Sequence, residues 1–461
     1  MSGRAHPHQR VVDEVRVDPE RARLYAEGWQ SWSPATWYPA TSTGLGPDLD
    51  WQHLMRFRPG TPLARGVVQA EGLLVVDPGT GEPARCFGTT DTAVIPTLTA
   101  ALERDHVVVR CNGPVRSTRH DAGGEAALEE YGDWFAERAG VVPVASTPTV
   151  WCSWYRYFED VSADDVRENL RALDDRGLSV DVVQVDDGWS LGLGEGLRSS
   201  DRFGSLVTLA EDVLGSGRRL GVWLAPFLVG AGTSLAREHP NWLVGPAGRN
   251  WGEDLVGLDL THPGVRETLV EALTSLLALG VDYLKLDFLY AGAVPGDRYG
   301  ATSPEEAYRS GLQLIRDTVG PDVYLVGCGA PLLPSVGLVD AMRVSPDTFH
   351  EGGEDGSSGL RGLMPLAARA WQQGRLWTND PDCLVARPSY RLREQWASAV
   401  TSYGGLASFS DRVAELDDPG LSTVRGLLET GSTAAPFPHD RVRHGAAQAG
   451  AELAERRKEP A

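Results

Sequence analysis

From about residue 147 onward, the sequence alternates short apolar runs with longer amphipathic segments. The apolar runs are nearly continuous, as strands buried on both faces of a sheet require. The first amphipathic segment, SADDVRENLRALDDRG, starts at Ser162, a typical N-cap residue, and stops at Gly177. Eight such strand–helix units in about 285 residues predict a (β/α)8 barrel.

The eight predicted strands are TVWCSWY, VDVVQVDDGW, RLGVWLAPF, VDYLKLDFLY, DVYLVGCG, DAMRVSPD, RLWTND and GLASFSD. An open, doubly wound α/β sheet is the alternative arrangement for such a pattern. No GxGxxG fingerprint follows any of these strands, which favours the barrel.

The region before the barrel is rich in β-branched runs, among them VVDEVRV, GLLVVDP, TAVIPTLTA and HVVVRCN, with DPGTGEP and CNGP as turns. EEYGDWFAERAG is typical of a helix that links this region to the barrel. We therefore predict three parts: a β-rich, sandwich-like N-terminal domain with the linker helix at 1–145, the catalytic barrel at 146–432, and a polar, frayed helical tail at 433–461.

Charge and composition exclude several classes of partner. The formal net charge is −20, which opposes binding to nucleic acid and to anionic membranes. We find no apolar run of 18 residues for a membrane span, and the first segment, MSGRAHPHQRVVDEV, lacks the apolar stretch of a secretory signal. The 5 cysteines are far apart and form no CxxC pair. These features predict a cytoplasmic protein with free thiols.

The carboxyl ends of barrel strands form the face on which such enzymes carry their active sites. Here these ends bear carboxylates, one lysine, one arginine, a cysteine and several indoles. The residues concerned are Trp154, Asp186, Asp187, Trp223, Lys285, Asp287, Cys328, Arg343 and Asp347. This mixture is typical of a sugar pocket, in which aromatic rings stack on the CH faces and charged groups hold the hydroxyls.

Each feature also has a purely structural interpretation. The Asp186–Asp187 pair could form a solvated turn, Asp287 could pair with the lysine two residues earlier, and Asp347 could cap a helix. Cys328 could be a small buried side chain. The joint occurrence favours a site, because several acids at the ends of neighbouring buried strands need partners.

The same acids could instead hold Mg²⁺, since carboxylate oxygens are its preferred ligands. Against this, Lys285 and Arg343 already supply positive charge, and no histidine stands at these strand ends. The residues therefore favour a site that needs no metal.

Six segments in order carry a specific resemblance: WCSWYRYF, VQVDDGW, GVWLAPF, YLKLDFLYAGAVPG, VGCGAPLLPSVGLVDAMRVSPDT and WTNDPDCL. Together they resemble the α-galactosidases of glycoside hydrolase family 36, the melibiases, in particular the short bacterial type. The similarity covers about residues 148 to 390 and also touches EGWQSWSP in the N-terminal region. Single motifs such as DD are weak, but the ordered set is specific.

The resemblance implies hydrolysis of terminal α-galactosides with retention of configuration and without metal or cofactor. It implies Asp287 of KLDF as the nucleophile and Asp347 of SPDT as the general acid/base, while Asp186 and Asp187 would bind the 4- and 6-hydroxyls of galactose. The other sugar contacts that it implies are Lys285, Arg343, Trp154, Trp223, Cys328 near the 2-hydroxyl, and Trp32, preferred over Trp29, from WQSW.

Two departures from the family leave properties open. The family commonly ends in a C-terminal β-domain, whereas about 30 residues follow the predicted barrel here, and the N-terminal region is short. The choice among α-galactoside oligosaccharides and the oligomeric state therefore stay open.

Three other functions remain as alternatives. A galactosyl transferase of the raffinose-synthase type would use the same residues. An α-N-acetylgalactosaminidase is disfavoured because an acetamido group needs room near Cys328. A sugar-binding protein without activity is disfavoured because both Asp287 and Asp347 are present.

Lysine is almost absent from the chain. Of 43 basic residues only Lys285 and Lys458 are lysines, and the remainder are arginines. Lys285 lies on the same face of its strand as Asp287, because residues two apart on a strand share a side. We therefore expect that arginine cannot replace it.

Overall fold

The computed structural model describes residues 9–46, 52–194, 198–250, 252–349 and 353–458. The predicted parts at 1–145 and 433–461 thus each include a few residues that lie outside the described ranges. Within those ranges, no helix combines the length and the apolar character that crossing a membrane requires.

The N-terminal region is β-rich, as predicted. Its described residues form two antiparallel sheets, one in the order β1-β8-β7-β4 and one in the order β3-β2-β5-β6-β9. The strands are β1 (Arg10–Arg16), β2 (Arg23–Ala26), β3 (Thr36–Pro39), β4 (Val68–Glu71), β5 (Leu73–Asp77), β6 (Ala84–Gly88), β7 (Thr97–Glu103), β8 (His106–Cys111) and β9 (Arg116–His120). Helix α1 (Gln52–Arg56) precedes β4, and α2 (Gly124–Ala139) is the linker helix.

The predicted (β/α)8 barrel is confirmed. In the described chain, eight parallel strands form one sheet in the order β19-β18-β17-β16-β12-β11-β10-β20. They are β10 (Thr149–Cys152), β11 (Val182–Val185), β12 (Arg219–Leu224), β16 (Val281–Leu286), β17 (Tyr324–Gly327), β18 (Ala341–Arg343), β19 (Thr378–Asp380) and β20 (Ala407–Phe409). The barrel closes where the backbone N–H groups of Gly405 and Leu406 donate to the carbonyl of Asn379 at 2.9 and 3.0 Å.

Helices connect these strands. They are α3 (Trp154–Tyr157), α4 (Ala163–Asp175), α5 (Leu206–Gly215), α6 (Ser234–Glu238), α7 (Pro263–Ala278), α8 (Pro304–Val319), α9 (Leu332–Ser335), α10 (Leu363–Ala368), α11 (Arg393–Tyr403) and α12 (Asp418–Thr430). Ser162 caps α4 as predicted: its side chain accepts from the backbone of Asp165, whose carboxylate in turn accepts from the Ser162 backbone. Gly177, with φ +61°, lies just beyond the helix end.

A small antiparallel sheet between β12 and α7 was not predicted. It comprises β13 (Leu228–Gly230), β14 (Leu243–Asn250) and β15 (Glu253–Leu258), in the order β13-β15-β14. Glycine and proline interrupt the sequence of β14, LVGPAGRN, and its pairing with β15 is irregular at two points. These residues weaken the alternating pattern that would have revealed the strand.

The expectation of a frayed tail after residue 432 is wrong for most of the described tail. Helix α13 (His439–Arg456) packs on α10 and on β3, and it buries Val442, Ala446, Ala449 and Leu453. The buried positions recur at intervals of three or four residues, which places them on one face of the helix. Alanine and glycine supply much of this face, so its apolar character is inconspicuous in the sequence.

A buried ion pair joins the N-terminal region to the barrel. The side chain of Arg369 is fully buried and donates to Glu27 at 2.9 Å and to the carbonyls of Ser31 and Val344, each at 2.8 Å. The backbone of Ser31 in turn bonds to Ala330 at 3.1 Å. The loop that contains WQSW is therefore fixed against the ends of β17 and β18.

Candidate active site

One group of contacts, the lysine cluster, consists of Asp186, Trp223, Lys285 and Asp287 at the ends of β11, β12 and β16. The ammonium of Lys285 lies 2.9 Å from Asp186 Oδ2 and 3.9 Å from Asp287 Oδ2. Trp223 Nε1 donates to Asp287 Oδ2 at 3.1 Å, and the backbone N–H of Phe288 donates to Oδ1 at 2.7 Å. Both oxygens of Asp287 thus accept an N–H, which is the environment that an ionised carboxylate needs.

Burial opposes the charge on Lys285, but the carboxylates of Asp186 and Asp287 outweigh it and hold the pKa of the ammonium well above its usual range. The sequence pointed to Asp287 as the partner of the lysine. The nearer partner is Asp186, whose Oδ2 also accepts from Gln184 Nε2 at 2.5 Å. One ammonium therefore links an expected galactose-binding acid to the expected nucleophile.

A second group, the arginine cluster, consists of Arg343, Asp347, Asp380 and Asp382 at the ends of β18 and β19. Among the described residues, three carboxylates contact the guanidinium, each at a different nitrogen. Nη1 lies 3.1 Å from Asp347, Nε 3.1 Å from Asp380, and Nη2 2.8 Å from Asp382. Arg343 is 3 % exposed at its side chain, whereas Asp347 is 41 % exposed. Asp347 is thus the most exposed carboxylate of the cluster, although the surrounding protein still desolvates it in part.

Two of the candidate site residues, Asp347 and Asp187, are carboxyl groups with raised pKa values. Desolvation and the negative charge of Asp382 raise the pKa of Asp347 to about 7, against the opposing effect of Arg343. Desolvation, opposed by a hydrogen bond from the Gly188 backbone, raises the pKa of Asp187 to about 7, with a further contribution from Asp186. Carboxyl groups that hold a proton near neutral pH are what general acid catalysis requires.

Trp32 lies beside the lysine cluster. Its ring contacts that of Phe288, which directly follows Asp287, edge to face at 5.5 Å between centroids, and it also packs against Gly329. Trp29, the other candidate from WQSW, is buried under the guanidinium of Arg58 at 4.8 Å. The structure therefore brings Trp32 towards the strand ends and gives Trp29 a packing role.

The remaining candidates, Cys328 and Trp154, and the neighbouring Trp189 lie at different distances from the two clusters. Cys328 is fully buried after β17, and desolvation and the Asp287 charge raise the pKa of its thiol, so it lies near the lysine cluster. Trp154 is half-buried at the start of α3 and packs edge to face on Phe158 at 5.2 Å. Trp189 is buried and donates its indole N–H to the carbonyl of Trp223, which supports the pocket wall from behind.

Backbone strain also concentrates here. In the described chain, four residues other than glycine have positive φ. They are Arg104 at +61°, Phe158 at +49°, Phe288 at +51° and Asp382 at +84°. Phe288 follows Asp287, and Asp382 belongs to the arginine cluster. Such conformations cost about 1–3 kcal/mol each and tend to persist where function requires them.

The sequence reasoning missed Asp382. It follows β19 in WTNDPDCL, two residues after Asp380, which is the same spacing that brought Lys285 and Asp287 to attention. Asp380 is the last residue of the predicted strand RLWTND, whereas Asp382 lies beyond it. The motif DPD contains two acids, and the expectation that both pair with one cation would have identified Asp382.

Within the described ranges, no three or more histidine, cysteine, aspartate or glutamate side chains are grouped so that they could hold a metal ion. The positions nearest to the acids are taken by the Lys285 ammonium and the Arg343 guanidinium.

A surface groove of about 820 Å³ lies elsewhere, between α11 and α13. Its lining includes Tyr403, Asp440, Arg441 and His444, and it contains none of the candidate site residues. Its size alone therefore does not make it the candidate active site.

Comparison with known proteins agrees with this geometry. Residues 134–309 match the Melibiase family model. An α-galactosidase from Thermus thermophilus, solved in complex with stachyose, is similar over 93 % of this chain and 96 % of that one, with 28 % identity and a TM-score of 0.75. The resemblance to the α-galactosidases of glycoside hydrolase family 36 is thus confirmed.

More distant relatives have longer chains. The probable α-galactosidase C of Aspergillus flavus is 27 % identical over an alignment of 209 positions that covers 40 % of this chain and 27 % of the fungal protein. The family 36 enzyme AgaA of Geobacillus stearothermophilus shares the fold over 90 % of this chain and 61 % of its own, with a TM-score of 0.60 at 14 % identity. This chain thus matches about a quarter of the length of the fungal protein.

Proposed function

We propose that the protein is a retaining α-galactosidase that removes terminal α-linked galactose from oligosaccharides by double displacement. The observation that carries the proposal is the contrast between two carboxyl groups at one end of the barrel. Asp287 accepts two N–H hydrogen bonds beside an ammonium. Asp347 is partly exposed, and its raised pKa, about 7, keeps a proton available. A retaining glycosidase needs one carboxyl group in each state.

In the first step, Asp347 donates its proton to the glycosidic oxygen while Asp287 attacks the anomeric carbon. The bond to the leaving group breaks as the bond to Asp287 forms, which gives a β-linked galactosyl enzyme and a neutral alcohol. The two N–H donors hold Asp287 in a fixed orientation, so that little reorganisation is needed before attack.

In the second step, Asp347, now ionised, takes a proton from water, and the resulting hydroxide attacks the anomeric carbon. Asp287 leaves as a carboxylate, and α-galactose is released. The 41 % exposure of the Asp347 side chain supports this role, because both the leaving group and the water must reach it.

We assign recognition of galactose to Asp186 and Asp187, which would bind the 4- and 6-hydroxyls. Asp186 is 1 % exposed and Asp187 8 % exposed, and both are held in place by neighbouring donors, so an epimer whose 4-hydroxyl points elsewhere would lose hydrogen bonds that these fixed carboxyl groups offer to galactose. Lys285, Arg343, Trp154, Trp223, Cys328 and Trp32 complete the proposed sugar contacts. Stachyose and p-nitrophenyl α-galactoside, both bound to the Thermus thermophilus relative, are suitable first substrates.

A galactosyl transferase of the raffinose-synthase type is the second candidate, because a sugar acceptor can replace water in the second step. The exposure of Asp347 favours hydrolysis, since water has access to the base. Analysis of the products at high sucrose concentration separates the two: free galactose supports the hydrolase, whereas a galactosyl-sucrose product supports the transferase.

We further propose a cytoplasmic location and a reaction that needs no metal. All five cysteines lie within the described residues, and all are free and buried. Free thiols are typical of proteins kept in a reducing compartment. The charges of Lys285 and Arg343 stand where a metal would otherwise have to balance the acids.

The test is turnover of an aryl α-galactoside beside the matching aryl α-glucoside, each with and without EDTA. We expect the galactoside to be hydrolysed at the same rate in both conditions and the glucoside to be a poor substrate. Equal rates for the two sugars would contradict the assignment of Asp186 and Asp187. Loss of activity in EDTA, restored by Mg²⁺ or Zn²⁺, would contradict the proposal of metal-free catalysis.

A further inference from the structure

The mechanism leaves one question about Asp347. A carboxylate that pairs with an arginine is normally stabilised in its ionised form, which would make it a poor proton donor. Asp347 lies 3.1 Å from Arg343 Nη1, yet it must hold a proton in the first step. Something in the arginine cluster must therefore reduce the effect of the guanidinium.

The rest of the cluster supplies two more carboxylates to the same cation. Asp380 contacts Nε at 3.1 Å, and Asp382 contacts Nη2 at 2.8 Å. With Asp347 ionised, the cluster would contain three negative charges and one positive charge. Protonation of one carboxyl group relieves this excess. Asp382 accepts the backbone N–H groups of Thr348 and Cys383, and Asp380 accepts that of Asp382, so Asp347 is the member of the cluster expected to take the proton.

Asp382 also fixes the backbone next to Asp347. Its Oδ2 accepts from the backbone N–H of Thr348 at 2.7 Å, from the Thr348 hydroxyl at 2.9 Å and from the hydroxyl of Tyr155. Its Oδ1 accepts from the backbone of Cys383 at 2.7 Å. Since Thr348 directly follows Asp347, these bonds set the direction from which the Asp347 side chain leaves the backbone.

The backbone at Asp382 has φ +84°, a conformation that side chains rarely adopt. The residue is 1 % exposed. A strained, buried carboxylate is expensive, and it persists only where its contacts compensate.

We propose that Asp382 is a positioning residue for the acid/base: it orients Asp347 through Thr348, and it takes up part of the charge of Arg343 so that Asp347 can carry a proton. This inference deepens the proposed function and rests on it for the role of Asp347. It assigns no contact with the sugar to Asp382.

Several other charged and titratable groups face Asp347. They are Arg343 on β18, Asp380 and Asp382 at the end of β19, Lys285 and Asp287 at the end of β16, Cys328 after β17, and Tyr155 on α3. Of these acids, Asp382 contributes most to raising the pKa of Asp347. Removal of its charge should leave Arg343 to act more strongly on Asp347 and so lower that pKa.

The test is the variant Asp382→Asn in the full chain, because asparagine keeps the shape of the side chain and tolerates positive φ. The protonation midpoint of Asp347 is followed by infrared difference titration, in which the carboxyl band is identified by its absence from Asp347→Asn. We expect the midpoint to fall by about 1 pH unit or more, as loss of a contacting charge implies. The basic limb of kcat/KM on an aryl α-galactoside should fall with it.

Two further variants complete the design. Asp411→Asn is the matched control, since Asp411 is also fully buried and pairs with an arginine, Arg387, at 3.2 Å, outside both clusters. It should leave the Asp347 midpoint unchanged. Asp382→Gly relieves the positive φ, removes the same charge and should lower the midpoint as well, so the test survives if the asparagine variant fails to fold.

An Asp347 midpoint that is unchanged in both folded Asp382 variants would overturn the proposal, even if activity were lost, because activity alone could fall through a purely structural effect. The infrared midpoint does not depend on turnover. If the parent protein hydrolyses no α-galactoside, the proposed function fails, while the midpoints still decide whether Asp382 controls the protonation of Asp347.

Discussion

The lysine cluster and the arginine cluster are built from the same kinds of group but treat their key carboxyl group differently. In the first, Asp287 receives two N–H donors of its own and lies 3.9 Å from the ammonium. In the second, Asp347 shares one guanidinium with Asp380 and Asp382. The comparison teaches that the donors available to each carboxylate, rather than the presence of a nearby cation, decide which one can hold a proton.

The largest expected effect comes from deleting the acid of the lysine cluster. Asp287→Gly should lose all measurable turnover, because no other group can attack the anomeric carbon. Azide should restore part of the reaction and yield β-galactosyl azide, since the small anion can occupy the vacated space. The measurement is product analysis by NMR with an activated aryl α-galactoside.

The matching deletion in the arginine cluster, Asp347→Gly, serves as the comparison. It should spare the first step for substrates with good leaving groups, because these need little protonation, and azide should give the α-azide. If azide rescued only Asp347→Gly and did nothing for Asp287→Gly, our assignment of the nucleophile would be wrong.

The next effect concerns the shape of the cation. A guanidinium suits the arginine cluster, where three carboxylates surround it, whereas Lys285 must contact Asp186 at 2.9 Å and still leave room for a sugar. We expect Lys285→Arg to fold but to lose at least ~100-fold in kcat/KM, or about 2.7 kcal/mol of transition-state stabilisation. Kinetics on one aryl α-galactoside, with a melting curve for folding, provide the measurement.

Lys458→Arg is the control for that variant. Lys458 pairs with Glu455 on an exposed surface, with 70 % of its side chain accessible, and its replacement should be silent. Nearly full activity in Lys285→Arg would mean that a positive charge alone is enough in the lysine cluster. It would contradict our claim that the lysine cluster requires an ammonium rather than a guanidinium.

The smallest effect is on stability. Asp187 has a pKa of about 7 in the folded protein, above its ordinary value near 4, so the folded state binds the extra proton between these values. Its contribution to the free energy of unfolding therefore falls as pH rises from about 4 to 7, by on the order of 1–3 kcal/mol. Denaturant unfolding at both ends of this window should show a smaller pH dependence in Asp187→Asn than in the parent.

Asp297→Asn is the control, because Asp297 is exposed and lies outside both clusters. It should unfold with the pH dependence of the parent. If Asp187→Asn also kept the pH dependence of the parent, burial would not control the protonation of Asp187. The raised pKa that we assign to this sugar-binding acid would then be wrong.

The sequence was sufficient to predict the barrel, because each strand has a nearly continuous apolar run and a helical segment follows each run. The position of Lys285 and Asp287 on one face followed from the two-residue period of a strand. Contacts between strands could not be predicted in the same way. The 2.9 Å contact of Lys285 with Asp186, 99 residues earlier, depends on the register between β11, β12 and β16.

Other elements escaped prediction for local reasons. Strand β14 contains glycine and proline, and the buried face of α13 is built largely of small residues, so neither has a strong hydrophobic period. Asp382 adopts a backbone conformation that its residue type does not reveal. The division of the chain at 145 and 432 and the roles of the individual site residues stay predictions.

The most direct test of the two-carboxylate account is the anomer that is released first. We predict that ¹H NMR within the first minutes of hydrolysis of an aryl α-galactoside, before mutarotation, shows α-galactose, because Asp287 attacks once and water attacks once. Release of β-galactose as the first product would mean a single displacement by water, and the assignment of Asp287 as nucleophile would be contradicted.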